Sequence, residues 1–324
     1  MTLYAKDGAL KLIRSMIERD RLPHAFIIFG EKGVGKKTLA HEMARYILCM
    51  SRKGAPCGQC SACRMMEKRI HPDFIVKTPS GKNGNYLTDD LRGIVSDANV
   101  TPNEGEKKIY FLPNIDKALP DAQNMLLKIV EEPPQHVLFI MTAESKEMIL
   151  PTILSRVISI GITEPSEDEC LAALSERGVD RSAAEKAVSI FGGNIGRCVE
   201  YIENDGEVEY LNAVKSVVDA MIKRDEFAML AVLSGLDAQS KNRALILDVL
   251  AALKNVFRDI SAEKLGARLC SVCRDEARVL AGNIRQSAVE KMYDAVTEAE
   301  RKIAGNASAL LTLSDLCGKL SIYL

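Results

Sequence analysis

The sequence predicts an α/β module, a parallel sheet with helices on both faces, followed by a region made of helices alone. Up to Ile160, short apolar runs alternate with stretches of helical periodicity, which is the pattern of a parallel sheet covered on both sides. After Ile162 no strand pattern follows, and apolar residues recur at helical spacing. A glycine-rich loop after the first apolar run indicates that the α/β part is a phosphate-binding P-loop module.

Five strands are predicted, each a short apolar run bounded by polar or turn-forming residues. They are Ala25–Phe29, Phe74–Val76, Ile109–Leu112, Val137–Met141 and Val157–Ile160. A helix is predicted over Asp121–Glu132, because two prolines follow it and proline cannot continue a helix. Thr88 is predicted to be the N-cap of another helix, since the charges of Asp89 and Asp90 suit a helix N-terminus.

The helical region begins at a capping box, in which Ser166 is followed three residues later by Glu169. Gly192-Gly193-Asn194 interrupts the helical pattern, and the polar stretch Glu203–Glu209 marks a second boundary. The predicted domains are residues 1–164, 165–206 and 207–324.

Composition is that of a water-soluble globular protein, with 47% hydrophobic and 27% charged residues. The net charge of -1 provides no overall basic field for nucleic acid.

No apolar run reaches the roughly 18 residues of a membrane span, so no membrane contact is expected. The start, Met1–Gly8, lacks the apolar core of a signal peptide. A cytoplasmic location is therefore expected.

The glycine-rich loop has the Walker A pattern, G-x-x-x-x-G-K, between the first strand and a helix. Its backbone N–H groups would face phosphate oxygens, and its lysine would reach the β and γ phosphates. Lysine stands where the pattern has a Ser or Thr ligand of Mg²⁺, and a threonine comes one residue late. The residues predicted to contact nucleotide are Gly30, Gly33, Gly35, Lys36, Lys37 and Thr38. The alternative is a vestigial loop that binds nucleotide weakly or not at all.

The acids that ATP hydrolysis requires are missing from the sequence. Carboxylates should follow a buried strand to hold Mg²⁺ and to polarise water. Here the strand Ile109–Leu112 ends in Pro113-Asn114, and Asp116 is predicted instead to cap the next helix. Hydrolysis by the chain alone is therefore expected to be weak or absent, and whether ATP binds at all stays open.

Four of the nine cysteines, Cys49, Cys57, Cys60 and Cys63, lie within one short segment. In a reducing compartment this spacing predicts a closed, structural Zn²⁺ site. A reactive thiol switch is the alternative, but no activating base is nearby. His71 is a spare ligand, although Pro72 beside it suggests a turn.

The other five cysteines are predicted to be small apolar core residues. Two of them form a C-x-x-C, for which redox activity is the alternative, but nothing around it resembles a redox βαβ unit. These five are Cys170, Cys198, Cys270, Cys273 and Cys317.

An ordered series of motifs resembles the bacterial clamp-loader subunits of DNA polymerase III, the delta-prime and gamma/tau pair of the AAA+ family. The resemblance is dense from Leu22 to Ile160 and weaker beyond, at Gly192–Arg197 and Asn306-Ala307. The motifs are Cys57-Gly58-x-Cys60-x-x-Cys63, His71-Pro72-Asp73, Asn124-x-Leu126-Leu127-Lys128-x-x-Glu131-Glu132-Pro133-Pro134 and Leu150-Pro151-Thr152-Ile153-Leu154-Ser155-Arg156.

The resemblance implies an AAA+ module with a zinc-binding insertion at residues 49–71, a small helical lid and a helical collar that joins a hetero-pentamer. It implies gamma/tau and delta as partner subunits, and the sliding clamp and primed DNA as targets of the assembly. Lys37 and Pro113-Asn114 favour the delta-prime type, which characteristically has a degraded ATP site. The end at Leu324, without the long extension of tau, is expected for that type as well.

The resemblance also implies roles for three single residues. Arg156 matches an arginine finger that a subunit lends to its neighbour's ATP, although Val157 replaces the usual cysteine. Thr142 matches the sensor 1 position and Arg197 the sensor 2 position. From the residues alone, Arg156 would be a surface arginine in a salt bridge.

Two other functions stay open at this point. The first is an active AAA+ ATPase such as a gamma/tau-like subunit, which the missing acids disfavour. The second is an autonomous zinc DNA-binding protein, which would need aromatic residues among the basic residues Arg64, Lys68 and Arg69.

Overall fold

The computed structural model describes residues 7–51, 55–81, 85–144, 146–205, 208–240, 243–267, 269, 271–305 and 307–324. The first six residues, Cys270 and Asn306 lie outside the described residues, as do the predictions that fall on them. In the described part, no helix combines the length and apolar character needed to span a membrane.

A five-stranded parallel sheet forms the centre of the first part of the chain, as predicted. Its order is β2-β3-β4-β1-β5, so β1 and β4 lie inside the sheet and their carboxyl ends meet at one edge. The first, third and fourth strands are buried along their whole length, which explains why they are nearly continuous apolar runs. The strands are β1 (Ala25–Phe29), β2 (Phe74–Val76), β3 (Lys108–Leu112), β4 (Val137–Ala143) and β5 (Ile158–Gly161).

Helices cover both faces of this sheet. On one face Ile27 and Tyr110 pack with Leu91 and Leu126, which lie on two helices of residues 88–97 and 120–131. On the other face Ile28 packs with residues of α1 and α2. The helices and one 3₁₀ turn of this part are α1 (Asp7–Glu18), α2 (Lys36–Leu48), α3 (Ser61–Glu67), α4 (Thr88–Asp97), the turn Ile115–Lys117, α5 (Pro120–Glu131), α6 (Pro151–Leu154) and α7 (Glu167–Glu176).

The described residues after β5 form helices and no strand, as predicted. The long helix Arg243–Lys264 is the centre of this region and packs against the helices Glu209–Lys223, Arg274–Asn283 and Gln286–Ala304. The helices are α8 (Arg181–Phe191), α9 (Ile195–Glu203), α10 (Glu209–Lys223), α11 (Glu226–Ser240), α12 (Arg243–Lys264), α13 (Arg274–Asn283), α14 (Gln286–Ala304) and α15 (Ala309–Tyr323).

The described chain divides into two compact units. The first contains the residues up to Arg177 together with Gly193–Gly196, and the second contains Gly178–Gly192 and the residues from Arg197 onward. The three-domain division at residues 164 and 206 stays a prediction.

Helix capping confirms one predicted start and corrects another. Ser166 Oγ accepts the Glu169 N–H at 3.2 Å, and the Glu169 carboxylate accepts the Ser166 N–H at 2.8 Å. The prediction that Thr88 is an N-cap is wrong, because Thr88 is already the first helical residue. The N-terminus of α4 is capped by Asp90, whose carboxylate accepts the Leu87 N–H at 2.9 Å.

Candidate functional site

The glycine-rich loop lies between β1 and α2, where the sequence places it. Gly33 and Gly35 have φ angles of 92° and 94°, a conformation that residues with a side chain rarely adopt. These two glycines let the loop turn tightly before α2 begins at Lys36. The loop therefore has the backbone that phosphate binding at a helix N-terminus requires.

Lys36 turns back onto its own loop. Its Nζ donates to the carbonyl oxygens of Gly30 at 2.6 Å and Glu31 at 2.9 Å, and the Glu144 carboxylate lies 3.9 Å away. Burial lowers the pKa of Lys36, and the charges of Glu144 and Asp116 oppose that shift. A bound phosphate would have to replace these carbonyl contacts.

Lys37 and Thr38, the two residues after Lys36, are not buried. The side chain of Lys37 is exposed and that of Thr38 is half-buried. Lys37 is the second residue of α2, where a Mg²⁺-binding hydroxyl would stand in the Walker A pattern. The structure therefore places a solvated ammonium group at the expected metal-ligand position.

The carboxyl ends of β3 and β4 are joined by neutral groups. Asn114 has a left-handed φ of 56°, and its N–H donates to Thr142 Oγ1 at 2.9 Å. The preceding carbonyl, of Pro113, accepts the Tyr86 hydroxyl at 2.7 Å. Thr142 is fully buried. The end of β3 therefore presents no carboxylate, as the sequence predicts.

The prediction that Asp116 caps the next helix is wrong. Asp116 lies inside the 3₁₀ turn, and its Oδ2 accepts the Glu144 N–H at 3.0 Å. Its Oδ1 is buried and has no hydrogen-bond partner among the described residues. Asp116 and Glu144 thus bring two carboxylates toward Lys36. Sequence reasoning missed Glu144, although its position directly after β4 was a usable signal.

The segment Gly193–Gly196, in which α9 begins, contacts the phosphate-binding loop. Asn194 is buried, and its side-chain amide donates to the Lys32 carbonyl at 2.8 Å and to Glu164 Oε1 at 2.9 Å. The Gly196 N–H donates to the Gly33 carbonyl at 3.0 Å. A Cβ on residue 196 would lie 2.6 Å from Gly33 Cα, so this close approach needs glycine. The sequence analysis did not identify this contact.

Arg197, the sensor 2 candidate, is paired with a carboxylate of the helical unit. Arg197 Nη2 lies 4.0 Å from Asp248 Oδ1 on α12. Both residues belong to the helical unit. The sensor 2 role of Arg197 therefore stays a prediction.

Arg156, the candidate arginine finger, follows the short helix α6. Its Nη1 donates to the Thr152 carbonyl at 2.9 Å and to Ser155 Oγ at 3.1 Å. Its Nη2 forms an ion pair with Glu131 Oε1 at 2.9 Å. The Arg156 side chain is still 39% exposed. The salt bridge expected of a surface arginine is therefore present, and the guanidinium is also accessible.

The four clustered cysteines converge. The sulfur atoms of Cys49, Cys57, Cys60 and Cys63 all lie within 4.8 Å of one another. Tetrahedral Zn²⁺ with Zn–S bonds of about 2.3 Å separates its sulfurs by roughly 3.8 Å, so the arrangement is close to a metal site. Cys49 ends α2, and Cys60 is the N-cap of α3. The four residues fit a closed thiolate site that could hold one metal ion.

Backbone amides also point at these sulfurs. The Cys57 N–H donates to Cys49 Sγ at 3.3 Å, and the Cys60 and Cys63 N–H groups donate to the sulfurs of Cys57 and Cys60 at 3.4 Å each. Amide donors lower the pKa of Cys57 to about 6, whereas burial raises the pKa of Cys63 to about 12. Metal binding would replace the proton that burial favours on the Cys63 sulfur.

The remaining histidine and cysteine predictions have clear outcomes. His71 is not part of the cysteine cluster; it lies in a turn, and its Nδ1 accepts the Asp73 N–H at 3.1 Å. Cys170, Cys198, Cys273 and Cys317 are buried, as predicted for core residues. Burial raises the pKa of Cys273 to about 12, which does not suit a redox thiol.

Comparison with known proteins agrees with this arrangement. The family model described as DNA polymerase III, delta subunit matches residues 5–166, which is half of the chain. DNA polymerase III subunit delta' of Bacillus subtilis is 24% identical over 312 residues, which cover 92% of this chain and 91% of that protein.

Two further similarities extend the comparison. The gamma/tau subunit of Mycoplasma pneumoniae is 33% identical over 171 residues, 53% of this chain and 25% of that protein. A solved gamma subunit-related protein of Thermotoga maritima aligns over 97% of this chain and 99% of its own, with 18% identity and a TM-score of 0.48. The family-model match spans the sheet, the phosphate-binding loop and the cysteine cluster. The chain therefore belongs to the DNA polymerase III delta subunit family.

Proposed function

We propose that this chain is a delta-prime-type subunit of the DNA polymerase III clamp loader, and that it supports partner ATPase subunits while hydrolysing little ATP itself. The similarity to B. subtilis delta' along nearly the whole of both chains supports this type over gamma/tau. The proposed partners are gamma/tau and delta subunits in a hetero-pentamer, with the sliding clamp and primed DNA as the targets of the assembly.

The end of β3 is the observation that carries the proposal. Asn114 stands there in a left-handed conformation, with its N–H bound to Thr142 Oγ1. A carboxylate that holds Mg²⁺ and activates water would be needed at this place for efficient hydrolysis. Lys36 is retained but contacts its own loop, which supports weak nucleotide binding or none.

The proposed contribution of the chain to catalysis is Arg156, given to ATP on a neighbouring subunit. A guanidinium group can stabilise the charge that develops on a transferring phosphoryl group. The exposure of Arg156 supports the role, since a finger that acts across an interface must be accessible before assembly.

We also propose that Zn²⁺ is bound by Cys49, Cys57, Cys60 and Cys63. The donor set is purely thiolate and leaves no open coordination position, so the ion would stabilise the segment between α2 and α3. It would supply no catalytic chemistry there.

ATP hydrolysis by the purified chain with Mg²⁺ is expected to be no faster than that of the Lys36→Ala variant, because two neutral residues, Pro113 and Asn114, directly follow β3. Steady-state phosphate release measures this, with Lys11→Ala, at an exposed position of α1, as the matched control. The proposal would be contradicted by a turnover near 1 per second, which is in the lower range of working enzymes, if Lys36→Ala abolished this turnover and the control did not. That result would favour an active ATPase using Asp116 and Glu144, which lie near Lys36.

Arg156→Ala is expected to lower ATP turnover of the reconstituted assembly without changing the thermal stability of the chain. In related phosphoryl transfers an arginine finger raises kcat by about 10³- to 10⁵-fold at the site that receives it. ATP hydrolysis at the site that receives Arg156 should therefore nearly cease, while the other ATPase sites of the assembly continue. Arg14→Ala removes another exposed arginine that is paired with a glutamate, and serves as the control. Equal turnover in all three assemblies would exclude the finger role.

A further inference from the structure

The guanidinium of Arg156 is fixed at several points that come from two different helices. Thr152 and Ser155, from α6 and its end, bind Nη1 through two hydrogen bonds. Glu131, the last residue of α5, lies against Nη2. The two sides of the group are therefore held by separate parts of the α/β unit, which restricts its rotation.

The placement of Glu131 is unusual in electrostatic terms. The C-terminus of a helix carries a negative partial charge, so a carboxylate there is unfavourable unless a cation is close. Arg156 is that cation, with its Nη2 2.9 Å from the Glu131 carboxylate. The end of α5 and the carboxylate together form an anionic contact that favours one position of the guanidinium.

The contacts leave one side of the guanidinium unused. An arginine side chain has five N–H donors, and Nη1 uses both of its own on Thr152 and Ser155. A single carboxylate oxygen lies beside Nη2, and Nε has no partner among the described residues. The Nε hydrogen and one Nη2 hydrogen therefore remain available, and two such donors match the bidentate geometry of phosphate recognition.

We propose that Glu131 is a positioning residue for Arg156, which holds the guanidinium with its remaining two donors directed outward to receive a phosphate group of the neighbouring subunit. This rests on the proposed finger role of Arg156. Glu131 itself touches neither nucleotide nor the reacting atoms. It restricts the arginine to few orientations before the assembly forms, and so reduces the conformational entropy that is lost on assembly.

The test measures ATP turnover of the reconstituted assembly with Glu131→Ala, Glu131→Gln, Arg156→Ala and the double variant Glu131→Ala/Arg156→Ala. Glu131→Ala should lower the Arg156-dependent part of kcat by roughly two- to fivefold, the factor that corresponds to an exposed ion pair, with KM for ATP unchanged. Glu131→Gln keeps an acceptor oxygen and should recover part of the loss. The double variant should equal Arg156→Ala, because Glu131 acts only through that residue.

Glu18→Ala is the matched control, since Glu18 pairs with exposed Arg14 at 2.8 Å on α1. If Arg156→Ala has no effect, the finger role fails, and this proposal fails with it. If Arg156→Ala lowers turnover but Glu131→Ala matches the unmodified assembly, only the positioning role is overturned. A rise in turnover with Glu131→Ala would also overturn it, because Glu131 would then compete with phosphate for the guanidinium.

Discussion

Replacing Cys63 by serine is expected to reduce the zinc content of the purified chain from about one ion to well under one per chain. The serine hydroxyl is a poor ligand for Zn²⁺ at neutral pH, and three thiolates leave the shell open. Structural zinc contributes about 10–16 kcal/mol of apparent binding free energy in small zinc-dependent folds, so the cost to this segment should be large. Metal analysis and limited proteolysis measure the two effects.

Proteolysis should detect the loss because the described residues between α2 and α3 belong to no helix or strand. Cys57 is exposed, and α3 is only a seven-residue helix. New cleavage is therefore expected between residues 49 and 71 in Cys63→Ser and in chelator-treated chain. Cys317→Ser changes a buried cysteine outside the cluster and should keep its zinc. The site would be contradicted if the unmodified chain, expressed with zinc supplied, contained no zinc. It would also be contradicted if Cys63→Ser still contained one zinc ion per chain.

The sheet could be predicted because its signals are local. Each strand is a short run rich in apolar residues and bounded by polar or turn-forming residues. In β1, β3 and β4 burial on both faces makes the run nearly continuous, so no alternation of apolar and polar residues is needed to recognise it. The prediction ended β4 too early, at Met141, because Thr142 is polar. Thr142 is nevertheless fully buried, since its hydroxyl accepts the Asn114 N–H and so needs no water.

The candidate sites were predictable to the extent that their residues are neighbours in sequence. The cysteine cluster spans one segment, so its spacing alone indicated a metal site. Asn194 and Lys32 are separated by 162 positions, and no local pattern connects them. Glu131 was visible only as part of a motif, because its pairing with Arg156 depends on how α5 and α6 pack. Long-range pairing of this kind follows from the folded sheet and not from spacing.

Asp73→Ala is expected to lower the free energy of unfolding by about 1.5–3 kcal/mol, the contribution typical of hydrogen bonds to a charged group. Asp73 is fully buried before β2. Its carboxylate accepts N–H bonds from Asn103 at 2.6 Å, Glu104 at 2.8 Å and Gly105 at 3.1 Å, and a fourth from the Asn103 amide at 3.2 Å. Alanine removes the shared acceptor of all four hydrogen bonds, so the loop at residues 103–105 loses its attachment to the residue before β2. Urea unfolding followed by circular dichroism measures the loss.

The pH dependence separates the charge of Asp73 from its shape. Burial alone would raise the pKa of this carboxyl, but the amide donors of Asn103, Glu104 and Gly105 outweigh burial and hold the pKa below its ordinary value. A depressed pKa in the folded state contributes stability that is fully present above the unfolded pKa of about 3.9 and is lost as pH falls through the folded pKa. The stability difference between the unmodified chain and Asp73→Asn should therefore be constant near neutral pH and shrink below about pH 4.

Asp294→Asn, at an exposed position of α14, should change stability by no more than about 0.5 kcal/mol. If the Asp73→Asn difference stays unchanged down to pH 3, the carboxylate charge is not what stabilises the loop at residues 103–105, and side-chain shape alone would have to account for the effect.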